Sequence, residues 1–202
     1  MEFPACAARR STRWHKSRSA GANLNASISE SQMTAHILPD VLCPGLRVVF
    51  CGTAASVVSA ARGAYYAGPG NRFWSILAEI KLTPHQLKPD EFRLLPTFGI
   101  GLTDIAKTFS GADSELPADS FDVPRFANCI RAVRPRLVAF NGKRAAGAFL
   151  GIRRTADLAY GPYSPPNPDF PPVIVLPSTS GAASGSWRAE PWHELATLIR
   201  LA

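Results

Sequence analysis

Short apolar runs alternate with amphipathic stretches along the chain from Ile37 onward. Four of these runs are rich in Val, Leu, Ile or Phe and have few polar interruptions. This pattern predicts short strands that are buried on both faces of a parallel sheet. The predicted strands are residues 46–51, 99–102, 136–140 and 173–176.

Apolar residues at helical spacing predict five helices between and after the strands. The last helix shows the pattern most clearly, because Trp192, Leu195 and Ile199 fall on one face. The predicted helices lie at about 72–80, 84–95, 124–133, 143–150 and 191–201. The alternation of strands and helices predicts an α/β fold: a single three-layer α/β/α domain with a short, mainly parallel central sheet of about four strands.

Two segments fall outside this alternation. Residues 161–172 contain six prolines, which predicts an irregular surface connection. Residues 1–36 are rich in Ser, Ala and Arg and lack apolar periodicity, which predicts a disordered basic tail before a domain at 37–202. The tail has three interpretations: an organelle transit peptide, a non-native extension upstream of a start at Met33, or an arm with non-specific affinity for nucleic acid.

The composition is typical of a soluble globular chain, with 202 residues, 46% apolar and 18% charged. No apolar run approaches the roughly 20 residues that span a bilayer, so we expect no membrane partner. The net charge is +7, and five basic against two acidic residues place +3 of it in the tail. The remaining basic excess suits a polyanionic partner, although many proteins without such a partner are equally basic.

The four cysteines lie far apart and form no CxxC pair. Cys51 and Cys129 lie in apolar stretches, which predicts buried free thiols and a reducing cytoplasm. The same spacing argues against a zinc site or an iron–sulfur cluster. We therefore expect neither a metal nor a cofactor.

Polar loops follow the predicted strands, at residues 52–56, 103–104, 141–143 and 177–181. Loops that follow parallel strands gather at one edge of the sheet, so we expect these four loops to form one cleft. The phosphate-binding pattern GxxxxGK[ST] is absent from the sequence, which disfavours a nucleoside triphosphatase.

Three motifs carry a resemblance to a known family. The segment VLCPGLRVVFCG, the motif PGNRFW and the later VLPSTSG resemble the mismatch-specific uracil/thymine-DNA glycosylases of the uracil-DNA glycosylase superfamily. The segment YYAGPGNRFW together with LPSTS also resembles the hypoxanthine-DNA glycosylase branch. The resemblance implies hydrolysis of the N-glycosidic bond of a damaged or misplaced base that has been flipped out of the DNA helix.

The resemblance also implies a set of residues that bind the base. Thr53 and Ser56 bracket a loop whose backbone would contact the uracil carbonyls. Tyr66 would stack on the flipped base, with ordinary buried aromatics as the alternative for Tyr65 and Tyr66. The implied base-binding residues are Gly52, Thr53, Ala54, Ser56, Tyr66 and Asn141.

The sequence departs from the mismatch-specific pattern at Ala54, where that family has the Asn that positions the attacking water. Asp104 is the first candidate for this role, because a carboxylate can orient water and stabilise positive charge on the sugar. Asn71 is the second, since the Asn of this motif serves catalysis in the hypoxanthine branch. The alternative for both residues is local capping of a helix, after Asp104 or at Arg72.

The loop after the last strand is implied to contact DNA in the minor groove. Its implied DNA-binding residues are Ser178, Ser180, Gly181, Ala182, Ser184 and Arg188. Ala182 occupies the position of a bulky wedge but is too small to fill the space that a flipped base leaves. Arg188 or Trp187 could compensate, and a core position is the favoured interpretation of Trp187.

The residues and the resemblance together predict a monomeric, monofunctional DNA glycosylase that acts on uracil in DNA. Hypoxanthine and mismatched thymine are the alternative bases. The missing Asn leaves open a relative that binds such DNA without cleaving it. A small-molecule enzyme would require both motifs to match by chance.

Overall fold

The computed structural model describes residues 36–201, so the predicted tail falls almost entirely outside the described residues. A five-stranded sheet forms the centre of the domain. Its strands are β1 Val48–Gly52, β2 Ile100–Asp104, β3 Leu137–Asn141, β4 Gly161–Tyr163 and β5 Val173–Leu176. The strand order is β2-β1-β3-β5-β4, and every pair is parallel except β4 with β5. The predicted α/β class with a mainly parallel sheet is confirmed.

Helices connect the strands. The α-helices are α1 Val57–Arg62, α2 Phe73–Glu79, α3 Val123–Val133, α4 Lys143–Leu150 and α5 Glu190–Leu201. Short 3-10 helices are present at Pro89–Phe98, Ala118–Ser120, Thr155–Asp157 and Gly181–Ser186. The predictions for α2, α3, α4 and α5 are confirmed to within one residue at each end. Between residues 36 and 201, no helix combines the length and the apolarity that crossing a bilayer requires.

Both faces of the sheet are covered by apolar side chains. Alternate residues of β1 enter two separate cores: Val48 and Phe50 pack with α2 and α5, while Val49 and Cys51 pack with α3 and α4. Successive side chains of a strand point to opposite faces of the sheet, so every second residue of β1 enters the same core. The sheet is therefore the middle of three layers, and its polar groups are confined to the strand ends.

The predicted helix at 84–95 is wrong in type and position. The structure has a 3-10 helix at Pro89–Phe98 with Pro96 inside it. Pro96 has no N–H to donate, and in an α-helix its ring would clash with the carbonyl four residues earlier, so a regular α-helix is disfavoured here.

The irregular connection predicted at 161–172 is wrong at its start. Gly161–Tyr163 forms β4, an antiparallel edge strand paired with β5. An edge strand tolerates Pro162, because its missing N–H can face away from the neighbouring strand. The sheet thus has five strands rather than about four.

Helix α1 was not predicted from the sequence. It has only six residues, begins after the cap Ser56 and ends at Gly63, whose φ of 59° favours glycine. The prediction of a buried free thiol is confirmed for Cys51, whereas Cys129 is only half-buried.

Candidate active site

A cleft of about 820 Å³ opens at the carboxyl ends of the parallel strands. Its lining includes residues 52–59, Asp104, residues 141–144 and residues 178–180. The four polar loops therefore converge at one edge of the sheet, as predicted from the sequence. This is the edge at which open α/β sheets bind ligands.

The end of β1 lies directly beside the end of β2. Gly52 and Asp104 are register partners, and the backbone N–H of Ile105 donates to the Gly52 carbonyl at 3.0 Å. A Cβ at position 52 would lie 2.5 Å from Asp104 Oδ1 and 3.3 Å from the Tyr66 hydroxyl oxygen. Glycine at this position therefore leaves room for the Asp104 carboxylate and the Tyr66 hydroxyl at the strand end.

Asp104 lines the cleft but is only 3% exposed. The helix cap that was its alternative interpretation is wrong, because residues 105–107 form no helix. No group of the described residues 36–201 donates a hydrogen bond to its carboxylate. Burial raises the pKa of Asp104 from 3.8 to about 6, with Lys107 as the largest opposing influence. Such a carboxylate is suited to bind a water molecule or accept its proton near neutral pH.

Tyr66 lies across the cleft floor in a left-handed backbone conformation, with φ of 53°. One face of its ring stacks on Phe73, with centroids 3.9 Å apart and planes inclined by 27°. A stacked base would have to use the opposite face, so base stacking stays a prediction. Burial raises the pKa of the phenol well above its ordinary value, and the hydroxyl stays neutral. The alternative of an ordinary buried aromatic holds for Tyr65, which is 1% exposed.

Asn141 ends β3 and is held by Thr179 through both ends of its amide. Its Nδ2 donates to Thr179 Oγ1 at 2.8 Å, and its Oδ1 accepts from the Thr179 backbone N–H at 3.0 Å. The remaining hydrogen on Nδ2 and the second lone pair on Oδ1 can still reach a ligand. Sequence reasoning missed Thr179 as a positioning residue, although it lies inside the VLPSTSG motif.

Asn71 also lines the cleft, and its Oδ1 accepts from the Phe73 backbone N–H at 3.0 Å. This bond closes a turn just before α2, whose N-cap is Arg72 without a side-chain cap hydrogen bond, so the helix-capping alternative for Asn71 stays a prediction. Its Nδ2 is not used by this bond, so the structure leaves the catalytic hypothesis untested.

The loop at 52–56 directs its side chains into structural contacts. Thr53 Oγ1 donates to Asp113 Oδ2 at 3.3 Å, and Ser56 caps α1 by accepting from the Ser59 N–H at 3.1 Å. Ala54 is half-buried and adds only a methyl group to the lining. These contacts suit a loop that binds a ligand through its backbone.

The loop after β5 packs against the PGNRFW motif. The Arg72 N–H donates to the Thr179 carbonyl at 2.9 Å, and a Cβ on Gly181 would lie 2.9 Å from the Pro69 carbonyl oxygen. Two of the three motifs that carry the family resemblance, PGNRFW and VLPSTSG, are thus in direct contact. Arg72 also lies over the Trp187 ring, 5.5 Å from its centroid.

The structure separates the residues predicted to bind DNA. Ser178, Ser180 and Ala182 line the cleft, whereas Ser184 and Arg188 are exposed outside its lining. Ser178 Oγ accepts from the Ser180 N–H, and Ser180 Oγ accepts from the Ala182 N–H. Trp187 is half-buried and packs against the core, in keeping with the favoured interpretation.

Two cations line the cleft at the start of α4, Lys143 and Arg144. Lys143 belongs to the predicted loop at 141–143, whereas Arg144 was missed, although it directly follows that loop. Asp113 had no sequence signal, because it comes to the cleft through a long loop. Across the part of the chain that the structure describes, no three side chains of His, Cys, Asp or Glu cluster as metal ligands would.

The fold and the cleft define an α/β domain with a ligand site at the carboxyl edge of a parallel sheet. Residues 39–202 match the pattern of the uracil DNA glycosylase superfamily, and the chain belongs to this superfamily. The fold is similar to the solution NMR structure of a "putative Uracil DNA glycosylase" from Methanosarcina acetivorans. That likeness has a TM-score of 0.57 at 22% identity and covers 81% of this chain and 96% of the other.

Proposed function

We propose that the protein is a monofunctional DNA glycosylase that hydrolyses the N-glycosidic bond of uracil in DNA, as in base excision repair. Membership of the superfamily supports a glycosylase that acts on DNA. The observation that carries the proposal is Asp104, a buried carboxylate that faces the cleft and accepts no hydrogen bond from the described residues. It supplies a group that can position water, in place of the Asn that is missing at Ala54.

In the proposed reaction, the flipped nucleotide enters the cleft and its base lies against Tyr66. The backbone of residues 52–56 and the Asn141 amide bind the polar edge of the base. Backbone N–H groups stabilise the negative charge that develops on the departing base. Selectivity comes from the shape and hydrogen-bonding pattern of this part of the cleft.

Asp104 acts on the sugar in this scheme. Its ionised carboxylate orients a water molecule and stabilises the oxocarbenium-like sugar as the bond to the base breaks. The water oxygen then bonds to the anomeric carbon, and Asp104 accepts the proton that this water releases. The base leaves with the electron pair of the broken bond. Asn71 is the second candidate for holding the water.

The DNA strand is proposed to lie along the loop after β5. Ser178, Ser180 and Ser184 would donate to phosphate oxygens, and Arg188 would add a charge contact. Lys143 and Arg144 add positive charge on the other side of the cleft. We further propose that the protein acts as a monomer. The free cysteines predicted from the sequence suit the reducing cytoplasm, and we propose this as its location.

Two alternatives have their own support. The YYAGPGNRFW motif favours hypoxanthine as the base, with mismatched thymine as a further possibility. The absence of the motif Asn at Ala54 favours a non-catalytic relative that binds uracil-containing DNA.

The test uses oligonucleotides that carry U, I or a mismatched T, in single- and double-stranded form. Base release is scored as alkali-sensitive strand breaks, with and without a chelator. We expect breaks at U that a chelator does not affect. Greater activity on I or T would move the assignment to the corresponding alternative. Tight binding of uracil-containing DNA without any base release would contradict the proposal of a glycosylase. It would support the alternative of a non-catalytic relative that binds such DNA.

A further inference from the structure

A partly buried cluster of charged side chains lies next to Asp104. Its centre is Asp40, from the segment before β1. Asp40 Oδ1 accepts from Thr103 Oγ1 at 2.6 Å and pairs with Lys107 Nζ at 3.0 Å, while its Oδ2 pairs with Arg125 Nη1 at 3.0 Å. The side chain of Lys107 is only 2% exposed, and those of Asp40 and Arg125 are 19% and 17% exposed. We call Asp40, Lys107 and Arg125 the ion cluster.

The ion cluster is joined directly to the backbone of Asp104. Arg125 reaches from α3 with both terminal nitrogens: Nη1 contacts Asp40, and Nη2 donates to the Asp104 carbonyl at 2.6 Å. Thr103, which donates to Asp40, is the neighbour of Asp104 in β2. A planar guanidinium with two such bonds fixes the distance between Asp40 and the end of β2.

Lys107 is fixed on the same side of the sheet. Its Nζ donates to the Tyr65 hydroxyl at 2.9 Å, and that hydroxyl donates to the Pro39 carbonyl at 3.2 Å. The Lys107 carbonyl accepts from the Ile37 N–H at 2.8 Å. The segment before β1 and the segment after β2 therefore hold each other in place, with the ammonium group between them.

The energetics of such a cluster point away from a purely structural role. Buried ion pairs contribute little net stability compared with well-packed apolar side chains of the same volume, because both ions lose hydration. Charges in a low-dielectric interior do, however, act strongly on a neighbouring ionisable group. The neighbour here is the cleft carboxylate of Asp104.

We propose that the ion cluster is a positioning unit for Asp104: Arg125 ties the end of β2 to Asp40, and Asp40 holds the Lys107 ammonium group on that side, where its charge acts on the Asp104 carboxylate. The proposal rests on the proposed function only in taking Asp104 as the group that acts on the sugar. The negative charge of Asp40 offsets part of the electrostatic effect of Lys107 and Arg125 on Asp104. The ionisation of Asp104 therefore depends on all three members of the ion cluster.

Several ionisable groups face Asp104 from the elements packed around it. They are Asp40 before β1, Cys51 in β1, Tyr65 and Tyr66 before α2, Lys107 after β2, Asp113 from the loop after it, and Arg125 in α3. Burial raises the pKa of Asp104, Lys107 and Arg125 lower it, and Asp40 and Asp113 raise it. We therefore expect the removal of Asp40 and the removal of Lys107 to change the pKa of Asp104 in opposite directions.

The test is a carboxyl-carbon NMR titration of Asp104 in the free full-length protein, with Asp104→Asn to identify the resonance. We expect Asp40→Asn to move its midpoint to lower pH and Lys107→Gln to move it to higher pH, each by roughly one pH unit. Lys107→Arg keeps the charge and should stay near the wild-type midpoint. Glu79→Gln is the matched control, because it removes one acidic charge from an exposed pair with His193.

Opposite displacements of the midpoint would support the proposal, and displacements in one direction, or none, would overturn it. If Lys107→Gln does not fold, the isosteric variant Asp40→Asn still decides: a midpoint at lower pH than in wild type supports the proposal, and a midpoint at the same or higher pH overturns it. The acidic limb of the pH profile for kcat/KM on uracil DNA should also move to lower pH in Asp40→Asn and to higher pH in Lys107→Gln. Because the titration needs no substrate, a protein without glycosylase activity would contradict the proposed function and leave this inference testable.

Discussion

Replacing Asp104 by Asn should stabilise the protein at neutral pH while it removes activity. The carboxylate is 3% exposed and accepts no hydrogen bond from the described residues, so its ionised form is poorly solvated in the native state. Asn has nearly the same shape and stays neutral at every pH. The substitution therefore removes a charge that the fold itself disfavours.

The magnitude follows from the pKa of Asp104, which burial raises from 3.8 to about 6. This difference corresponds to about 3 kcal/mol against the ionised form in the native state. The native state holds the proton more tightly than the unfolded chain, so stability falls as pH rises from about 4 and the full penalty is present above about 6. Roughly 1 kcal/mol of this penalty is already present at pH 4.5. The stability that Asp104→Asn gains over wild type should therefore grow by about 2 kcal/mol between pH 4.5 and 7.5.

The assay is urea unfolding of wild type and Asp104→Asn at both pH values. The difference between the two proteins cancels the titration of all other groups, provided that these behave alike in both. Asp157→Asn serves as the control, because the side chain is 57% exposed and a surface change of this kind should stay within about 0.5 kcal/mol. A variant that is less stable than wild type at pH 7.5, or a gain that does not change with pH, would refute the reasoning.

Three further substitutions probe the cleft. Gly52→Ala places a methyl group 2.5 Å from Asp104 Oδ1 and should displace the carboxylate by about 1 Å, lowering kcat/KM on uracil DNA about 10²-fold. Thr179→Val removes the hydroxyl that accepts from the Asn141 amide, and it should cost about 1–3 kcal/mol in urea unfolding and change the ratio of rates on U and I. Asn71→Ala removes the hydrogen bond from the Phe73 N–H and should cost about 1 kcal/mol, with a smaller loss of kcat/KM than Asp104→Asn.

Matched controls separate local from global effects. Gly147→Ala places a Cβ 2.7 Å from the Ile152 carbonyl oxygen, away from the cleft, and should destabilise the fold without changing kcat/KM below the melting transition. Equal losses of kcat/KM in Gly52→Ala and Gly147→Ala would contradict the reasoning about Asp104. An unchanged U-to-I ratio in Thr179→Val would argue that Asn141 does not contact the base. A loss in Asn71→Ala as large as that in Asp104→Asn would make Asn71 the principal group.

The sequence predicted those features that depend on local pattern. The four parallel strands follow from continuous apolar runs and the helices α2 to α5 from apolar periodicity. The convergence of the loops follows from the parallel order of the strands. Asp104 was identified as a candidate because it ends a strand and could replace the Asn missing at Ala54.

Features that depend on tertiary contacts were not predicted. Helix α1 is too short to show a period, and β4 forms only because β5 lies beside it. The pairing of Thr179 with Asn141 joins residues 38 positions apart, and Arg125 reaches Asp40 across 85 positions. No local pattern in a single sequence indicates such partners.

The most direct test of the central claim compares wild type and Asp104→Asn in single-turnover base release from a double-stranded oligonucleotide that carries one uracil. Binding of the same duplex is measured alongside. We expect a rate about 10²- to 10⁴-fold lower for the variant, with binding nearly unchanged, because the proposed role of the carboxylate is to act on the reacting sugar rather than to bind the duplex. Uracil release by Asp104→Asn at the wild-type rate would rule out that role.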